Sequence, residues 1–91
     1  MELSEKFIRN EKFVWRVVDG EAILLSPNGD RLHSFNEVAT LIWELSDGTR
    51  SIREFIEQIC EEFDVQRDKA QMDVVSLIER LVAINAMIKK G

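Results

Sequence analysis

The chain has few of the residues on which catalysis, metal binding and covalent cross-links depend. Its 91 residues include one cysteine, one histidine and no tyrosine. One cysteine cannot form an internal disulfide, and one cysteine with one histidine cannot supply the ligands of a protein-only zinc site. The four glycines are isolated from one another, so no glycine-rich phosphate loop is present. We therefore expect no catalytic centre and no cofactor.

Long apolar runs are also missing, and one sign of charge is in the minority. No stretch approaches the roughly 20 apolar residues of a membrane span, and the charged start of the chain lacks the apolar segment of a signal peptide. Lys and Arg number 12 against 17 Asp and Glu, which gives a net charge of −5. A negative chain is poorly suited to a nucleic-acid backbone. We expect a small, soluble, cytoplasmic domain with no membrane or nucleic-acid partner.

What the sequence does contain is enough apolar character for one modest core, since hydrophobic residues make up 45% of it. Residues 1–12 have weak periodicity and predict a flexible N-terminal arm, whereas residues 13–90 predict a single domain. Alternation from Phe13 onward, followed by Asp19-Gly20, predicts a hairpin with a two-residue type I′ turn. The register of that turn places one set of side chains toward the core, namely Trp15, Val17, Ala22 and Leu24.

The rest of the chain predicts one more strand and then three helices. Residues 31–35 predict a short third strand with poor alternation, and Asn36 is a favourable N-cap for a helix that ends near Leu45. Ser51 and Glu54 have the spacing of a capping box at the start of the second helix. The third helix is expected from near residue 68 to 83, and residues 84–90 fit either a last turn or a strand.

These elements predict an α+β fold that is winged helix-turn-helix-like, with a three-stranded antiparallel sheet followed by three helices. In this order the third strand has an outer edge without a partner. The third helix has an apolar surface wider than one packing partner requires, because Val75 and Val82 lie outside its core stripe. These two residues either touch both another helix and the sheet, or line a groove beside the open edge, where an extended peptide can bind.

Single residues whose side chains could take part in catalysis or binding have simple structural interpretations. His33 is expected to be a solvated strand residue or part of the groove lining, and Cys60 a buried structural thiol. Acidic residues cluster on and after the second helix, where a solvated face is the favoured interpretation. Trp43 lies off the main stripe of the first helix, so it either covers the edge of the core or anchors a partner protein.

Several segments, taken together, resemble one known family. The segment Phe35–Gly48, with the sequence FNEVATLIWELSDG, is similar to the signature of the PqqD-like family. The upstream hairpin Trp15–Leu25 is similar to the first hairpin of that family, and Ser51–Ile56 and Glu62–Val65 match its second helix and exit. The third helix ends in Leu81–Ile84, where the family often has an apolar stop. The resemblance extends from about residue 7 to residue 88.

This resemblance implies a RiPP recognition element, which is a non-enzymatic peptide chaperone with a winged-helix-like fold. Such domains bind the leader of a ribosomally synthesised precursor peptide as an added strand, between the third strand and the third helix. They present it to a modifying enzyme, such as a radical SAM protein or a leader peptidase. Carried over by position, the expected peptide-binding residues are Arg31, Leu32, His33, Ser34, Phe35, Gln71, Val75, Ile78, Glu79 and Val82.

Two other functions remain open from the sequence. The same scaffold serves DNA-binding regulators, although the third helix has few bases for that role. A structural subunit docked to a larger enzyme through Trp43 and the first helix is the other alternative. We expect either a monomer or a homodimer formed through the strand edge.

Overall fold

The structure is a computed structural model that describes residues 1–91. The chain order is β1 (Lys6–Arg9), β2 (Val14–Val18), β3 (Glu21–Leu25), β4 (Leu32–Ser34), α1 (Glu37–Leu45), β5 (Asp47–Ser51), α2 (Ile52–Phe63), α3 (Arg67–Ala83) and β6 (Met87–Lys90). Strands β2, β3 and β4 form one antiparallel sheet in that order, and β5, β1 and β6 form another. The predicted α+β fold, with three helices after a three-stranded sheet, is confirmed.

The β2–β3 hairpin has the predicted register. Trp15 pairs with Leu24 and Val17 with Ala22. Asp19 and Gly20 both have positive φ, at 52° and 80°, as a type I′ turn requires. Ala22 and Leu24 are fully buried and Trp15 is half-buried, but Val17 stays 40% exposed because it lies near the tip of the hairpin.

Two of the helices begin at the predicted caps. The Asn36 side chain accepts a hydrogen bond from the Ala39 amide at 2.9 Å. The Ser51 hydroxyl accepts from the Glu54 amide at 3.3 Å, and the Glu54 carboxylate accepts from the Ser51 amide at 2.9 Å, which completes the capping box. These caps fix the start of α1 directly after β4, and the start of α2 directly after β5.

The β5-β1-β6 sheet is the main difference from the sequence prediction. Residues 6–9, expected to be part of a flexible arm, form β1 instead, and Phe7 at its centre is 3% exposed. The C-terminal tail forms β6 and pairs with β1, while β5 pairs with the other side of β1. Each strand is short and rich in polar residues, so its stability comes from partners far along the chain and leaves little local pattern.

The core is one cluster of 18 buried hydrophobic residues between the sheets and the helices. Trp43 is fully buried in it and makes edge-to-face contacts with Trp15 and Phe35, with ring centroids 5.9 Å apart in each pair. A side chain without exposed surface cannot anchor a partner, so that interpretation of Trp43 is wrong. Cys60 is half-buried against the core. None of the three helices is both long and apolar enough to cross a membrane.

Candidate functional site

The free edge of β4 is the central feature of the site. The Phe35 amide donates to the Ala22 carbonyl at 2.9 Å, and the Arg31 carbonyl accepts from the Ser26 amide at 3.0 Å. Residues 31 and 35 therefore bond toward β3. Because bonding directions alternate along an antiparallel strand, the N–H and C=O groups of Leu32 and Ser34 point away from β3. The C-terminal tail pairs with β1 in the other sheet, so it does not occupy this edge.

The side chains of this strand divide between the two faces of the sheet. His33 pairs with the buried Leu24, so it faces inward and is half-buried. By the period of two, Arg31 and Phe35 share this inward face, and Phe35 is 5% exposed. Leu32 and Ser34 face outward, and Leu32 is 68% exposed. An added strand would place alternate side chains on the same two faces.

Two depressions lie near the two ends of β4. At one end is a depression of about 420 Å³, where Arg31 and His33 face Ile84, which follows α3. At the other end is a depression of about 460 Å³, where Asn36 and the N-terminal half of α1 face Arg80 and Leu77. We call the two depressions together the β4–α3 groove. Its helix wall consists of Lys69, Asp73, Ser76, Leu77, Arg80 and Ile84.

The floor of the groove at the Arg80 end is apolar. Val38, Ala39 and Ile42 of α1 contribute to it, and Val65 closes it beyond α2. The wall residues near Asn36 come before those near Arg31 in sequence, so α3 runs antiparallel to β4. The second depression thus lies between α1 and α3, with an apolar floor and a mixed helix face.

Of the predicted site residues, Arg31 and His33 line the first of these depressions, whereas the predicted residues of α3 line neither of the two. Gln71 and Val75 line a separate depression with Asp68 and Met72, without any residue of β4. Ile78 is fully buried in the core. At roughly 100° per residue, the predicted set, which also includes Glu79 and Val82, is centred on the opposite flank of α3 from the groove wall.

The difference in placement between the two flanks of α3 has a physical reason. The core stripe of α3 has two flanks, and hydrophobic periodicity does not tell which of them faces the strand edge. The sequence prediction takes the more apolar flank, whereas the wall beside α1 is mixed and includes Lys69, Asp73 and Arg80. The signal that would have found it is the stripe of residues 69, 73, 76, 80 and 84 on one side of the helix.

Charge in the groove differs from charge on the rest of the molecule. Its lining contains three bases, Arg31, Lys69 and Arg80, against two acids, Asp30 and Asp73, so its formal charge is 3 − 2 = +1 in a chain of −5. Both acids already have partners. Asp73 pairs with Lys69 at 3.2 Å, and Asp30 accepts from the Ser26 hydroxyl at 2.9 Å. Neither Arg31 nor Arg80 takes part in an ion pair.

The clearest pKa perturbations belong to groups that stabilise the fold elsewhere. The hydrogen bond from Lys89 lowers the pKa of Glu5, and the backbone amide of Ser51 lowers that of Glu54. The side-chain hydrogen bond from Thr49 lowers the pKa of Asp47. No cluster of three or more His, Cys, Asp or Glu side chains is placed to hold a metal ion.

Comparison with known proteins shows which family the chain belongs to. The family model for Coenzyme PQQ synthesis protein D (PqqD) matches residues 21–85. The chain belongs to the PqqD family. The match begins with β3 and extends past the end of α3, so it includes the free edge of β4 and the whole helix wall of the groove. The family resemblance seen in the sequence is therefore confirmed.

Two solved structures share the fold of this PqqD-family chain. One is TbiB1 in complex with the TbiA(beta) leader peptide, with a TM-score of 0.78 and 21% identity over 88% of this chain and 93% of that one. The other is lasso peptide synthetase B1 complexed with the leader peptide, with a TM-score of 0.76 and 22% identity over 90% and 95% of the two chains. A search of curated proteins found no match.

Proposed function

We propose that this PqqD-family chain is a peptide-binding adaptor that takes the leader of a ribosomally synthesised precursor as a strand added to β4. The observation that carries the proposal is the unpaired edge at Leu32 and Ser34, with the two depressions near the two ends of the same strand. The two solved structures with the same fold were both determined with leader peptides, and they support this choice among the uses of an open edge.

Main-chain pairing alone cannot provide the affinity. Leu32 and Ser34 each offer one N–H and one C=O, so an added strand gains two hydrogen bonds from each residue. At about 0.5–1.5 kcal/mol net per bond, these contribute roughly 2–6 kcal/mol. Association costs about 4–15 kcal/mol in lost freedom. The groove must therefore supply the remainder through side chains, and that requirement makes binding selective for sequence.

The bound strand would direct alternate side chains into the groove. Residues opposite Arg31, His33 and Phe35 share the inward face, where they meet α1 and the wall of α3. Residues opposite Leu32 and Ser34 form the main-chain bonds and face outward. Backbone pairing thus fixes the register of the peptide, and the inward positions determine which peptide fits.

Chemical modification of the precursor would belong to a partner enzyme rather than to this chain. In this proposal the adaptor holds the leader and presents the rest of the precursor to a modifying enzyme, such as a radical SAM protein or a leader peptidase. We propose that the complex forms in the cytoplasm, where the free thiol of Cys60 remains reduced.

The DNA-binding alternative gains no support from the helix that would enter a groove of the duplex. The bases of α3, Arg67, Lys69 and Arg80, are matched in number by acids, Asp68, Asp73 and Glu79. Phosphate binding draws its affinity from uncompensated Lys and Arg residues.

Titration of isotope-labelled protein with leader peptides encoded by neighbouring genes tests the proposal. We expect the largest amide shifts at Leu32–Ser34 and along the groove wall. Peptides N-methylated at one residue at a time should lose binding only at alternate positions, because only those face Leu32 and Ser34. If no neighbouring peptide shifts these amides, or if methylation has the same effect at every position, strand addition on β4 is wrong.

A further inference from the structure

We infer that the peptide added to β4 carries an apolar side chain directly opposite Leu32, on the outward face of the sheet, and that Leu32 selects for it. This inference rests on the proposed function, because it assumes that an extended peptide pairs with β4. It goes further by assigning a side-chain class to one outward position of the peptide and by naming the residue of this chain that recognises it.

The first observation is a row of apolar side chains across the outward face of the β2-β3-β4 sheet. Val14 pairs with Leu25, and Leu25 pairs with Leu32. Directly opposite residues of paired strands point to the same face, so these three side chains lie side by side across the strands. The core lies on the other face, where Leu24 is fully buried. We call Val14, Leu25 and Leu32 the outer row.

The second observation is that the outer row lacks a neighbour at β4. Leu25, which has a paired residue on each side, is 37% exposed, whereas Val14 and Leu32 at the two ends are 67% and 68% exposed. Leu25 and Leu32 have the same side chain, but Leu32 has a paired residue on one side only. An apolar side chain beside Leu32 would supply the second neighbour and remove apolar surface from water.

The backbone determines which end of the outer row can be extended. Leu32 directs its N–H and C=O away from β3, toward an added strand. Ala22 bonds toward β4, so Leu25, three residues later, bonds toward β2. Val14, which pairs with Leu25, therefore bonds toward β3 and offers no main-chain bond to a ligand. In an antiparallel added strand, the residue opposite Leu32 exchanges both bonds with it, which holds the two side chains together.

The second outward position of the peptide, opposite Ser34, differs from the first. Ser34 pairs with Ile23, and Ile23 pairs with Arg16, so this line of residues ends in a hydroxyl at the free edge. Only the position opposite Leu32 gains an apolar cross-strand partner. An antiparallel peptide runs opposite to β4, so this position comes two residues after the one opposite Ser34. It is the C-terminal one of the two peptide residues that bond to the strand.

The experiment is a selection from a displayed library of random dodecapeptides. Synthetic copies of the selected peptides are then N-methylated at one residue at a time, which identifies the two residues that bond to β4. We expect Val, Ile, Leu or Phe at the C-terminal one of these two, and no apolar preference at the other. Exchange of this apolar residue for Ser should weaken binding about fivefold, the upper range for a cross-strand pair.

Leu32→Lys tests whether the Leu32 side chain sets the preference. Selection with this variant should replace the apolar residue by Asp or Glu, because opposite charges pair across strands. Leu32→Ser should remove the preference if the lysine impairs folding. Val14→Lys is the matched control, since it adds the same charge to an equally exposed residue of the outer row. Three strand spacings of about 4.8 Å place the peptide roughly 14 Å from β2, beyond the Debye length of about 8 Å at physiological salt, so the apolar preference should remain.

The possible results separate this inference from the function on which it rests. If Ser and Asp are selected as often as apolar residues opposite Leu32, or if both Leu32 variants leave the preference unchanged, the inference is overturned, while an alternating methylation pattern retains the adaptor function. A switch to acids with Val14→Lys as well overturns the assignment of the preference to Leu32. Selection that is equal for wild type and for Ser34→Pro, which blocks the strand edge, overturns the adaptor function and the inference with it.

Discussion

The backbone amide of Ala22 donates a 2.8 Å hydrogen bond to the hydroxyl of Thr40, and both residues are buried. The Ala22 carbonyl accepts from the Phe35 amide, but the chain then leaves the sheet to begin α1. The Thr40 hydroxyl takes the place of the strand carbonyl that β3 would otherwise meet. This single bond ties α1 to the sheet at the point where β4 ends, and it positions the floor of the groove.

Thr40→Val should lower the free energy of unfolding by about 1–3 kcal/mol, because the Ala22 amide is left buried without an acceptor. Urea denaturation measures the loss, and hydrogen exchange at Ala22 should become faster. Thr40→Ser keeps the hydroxyl and serves as the control. A valine variant as stable as the serine variant would show that the bond contributes nothing.

Arg9 should be the most important surface arginine for stability. Its Nη1 donates to the carbonyls of Trp43 and Glu44, each at 2.8 Å, and its guanidinium lies 5.3 Å from the ring centroid of Trp15. The last turn of α1 has no base of its own, so Arg9 supplies the missing charge and donors. We expect Arg9→Met to lower the free energy of unfolding, measured by urea denaturation, by about 1–3 kcal/mol.

Arg50→Met is the comparison for that experiment. Arg50 pairs with Asp47 at 3.3 Å, but both side chains are more than 40% exposed. A pair of this kind contributes about 0–1 kcal/mol. If Arg9→Met and Arg50→Met lower the free energy of unfolding by the same amount, the hydrogen bonds from Arg9 to the last turn of α1 add no stability.

Stability should depend on pH through the pair that joins the two ends of the chain. Lys89 Nζ lies 2.7 Å from the Glu5 carboxylate, and this hydrogen bond lowers the pKa of Glu5 below 4.5 and raises that of Lys89 above 10.5. A lowered carboxyl pKa gives stability that is present above pH 4.5 and is lost as the pH falls through the folded-state pKa. The raised pKa of Lys89 gives stability that is lost above pH 10.5.

Comparison with Glu5→Gln isolates this effect. The wild type should be the more stable protein near pH 7, and the difference in urea midpoint should shrink as the pH falls below 4.5. Glu57→Gln, an exposed change on α2, should show no such trend. A difference that stays constant from pH 7 to pH 3 would mean that the pair does not couple titration to folding.

Ser34→Pro should abolish leader binding with little loss of stability. The Ser34 N–H points away from β3, so proline removes a donor meant for the peptide and none from the sheet. Calorimetric titration measures binding, and Ser34→Ala should bind normally.

Val17→Pro is the matched backbone control on β2, the other edge of the same sheet. Its partner Ala22 bonds toward Phe35 and Thr40, so the backbone groups of Val17 also face outward, but far from the groove wall. Peptide affinity should survive this change. Loss of binding in the Val17 variant and not in the Ser34 variant would move the site to β2.

The sequence predicted the parts of the fold that depend on local chemistry. Asp19-Gly20 determined the hairpin register because only a few residue pairs accept two positive φ angles in succession. Asn36 and Ser51 marked helix starts because their side chains bond nearby amides. In each case the deciding interaction joins residues within a few positions of each other.

What the sequence could not predict depends on contacts between distant segments. Strand β1 has a bulge and pairs with residues from the middle and the end of the chain, so no local period revealed it. The flank of α3 that lies beside α1 depends on how the two helices pack, and composition does not reveal it. The β4 edge was predictable because strand order follows from two consecutive hairpins, whereas the linings of the depressions combine residues from distant elements.

The shortness of β4 has a consequence for the behaviour of the protein in concentrated solution. Both β2 and β4 are edge strands of the sheet. If β4 of one copy paired with β2 of the next, the contact would repeat without closing and would form an open-ended fibre. Only Leu32 and Ser34 offer bonds for such growth, and every added copy brings a charge of −5. Because β4 offers so few bonds, it pairs weakly with other copies of the chain and remains free for a peptide whose side chains add further contacts.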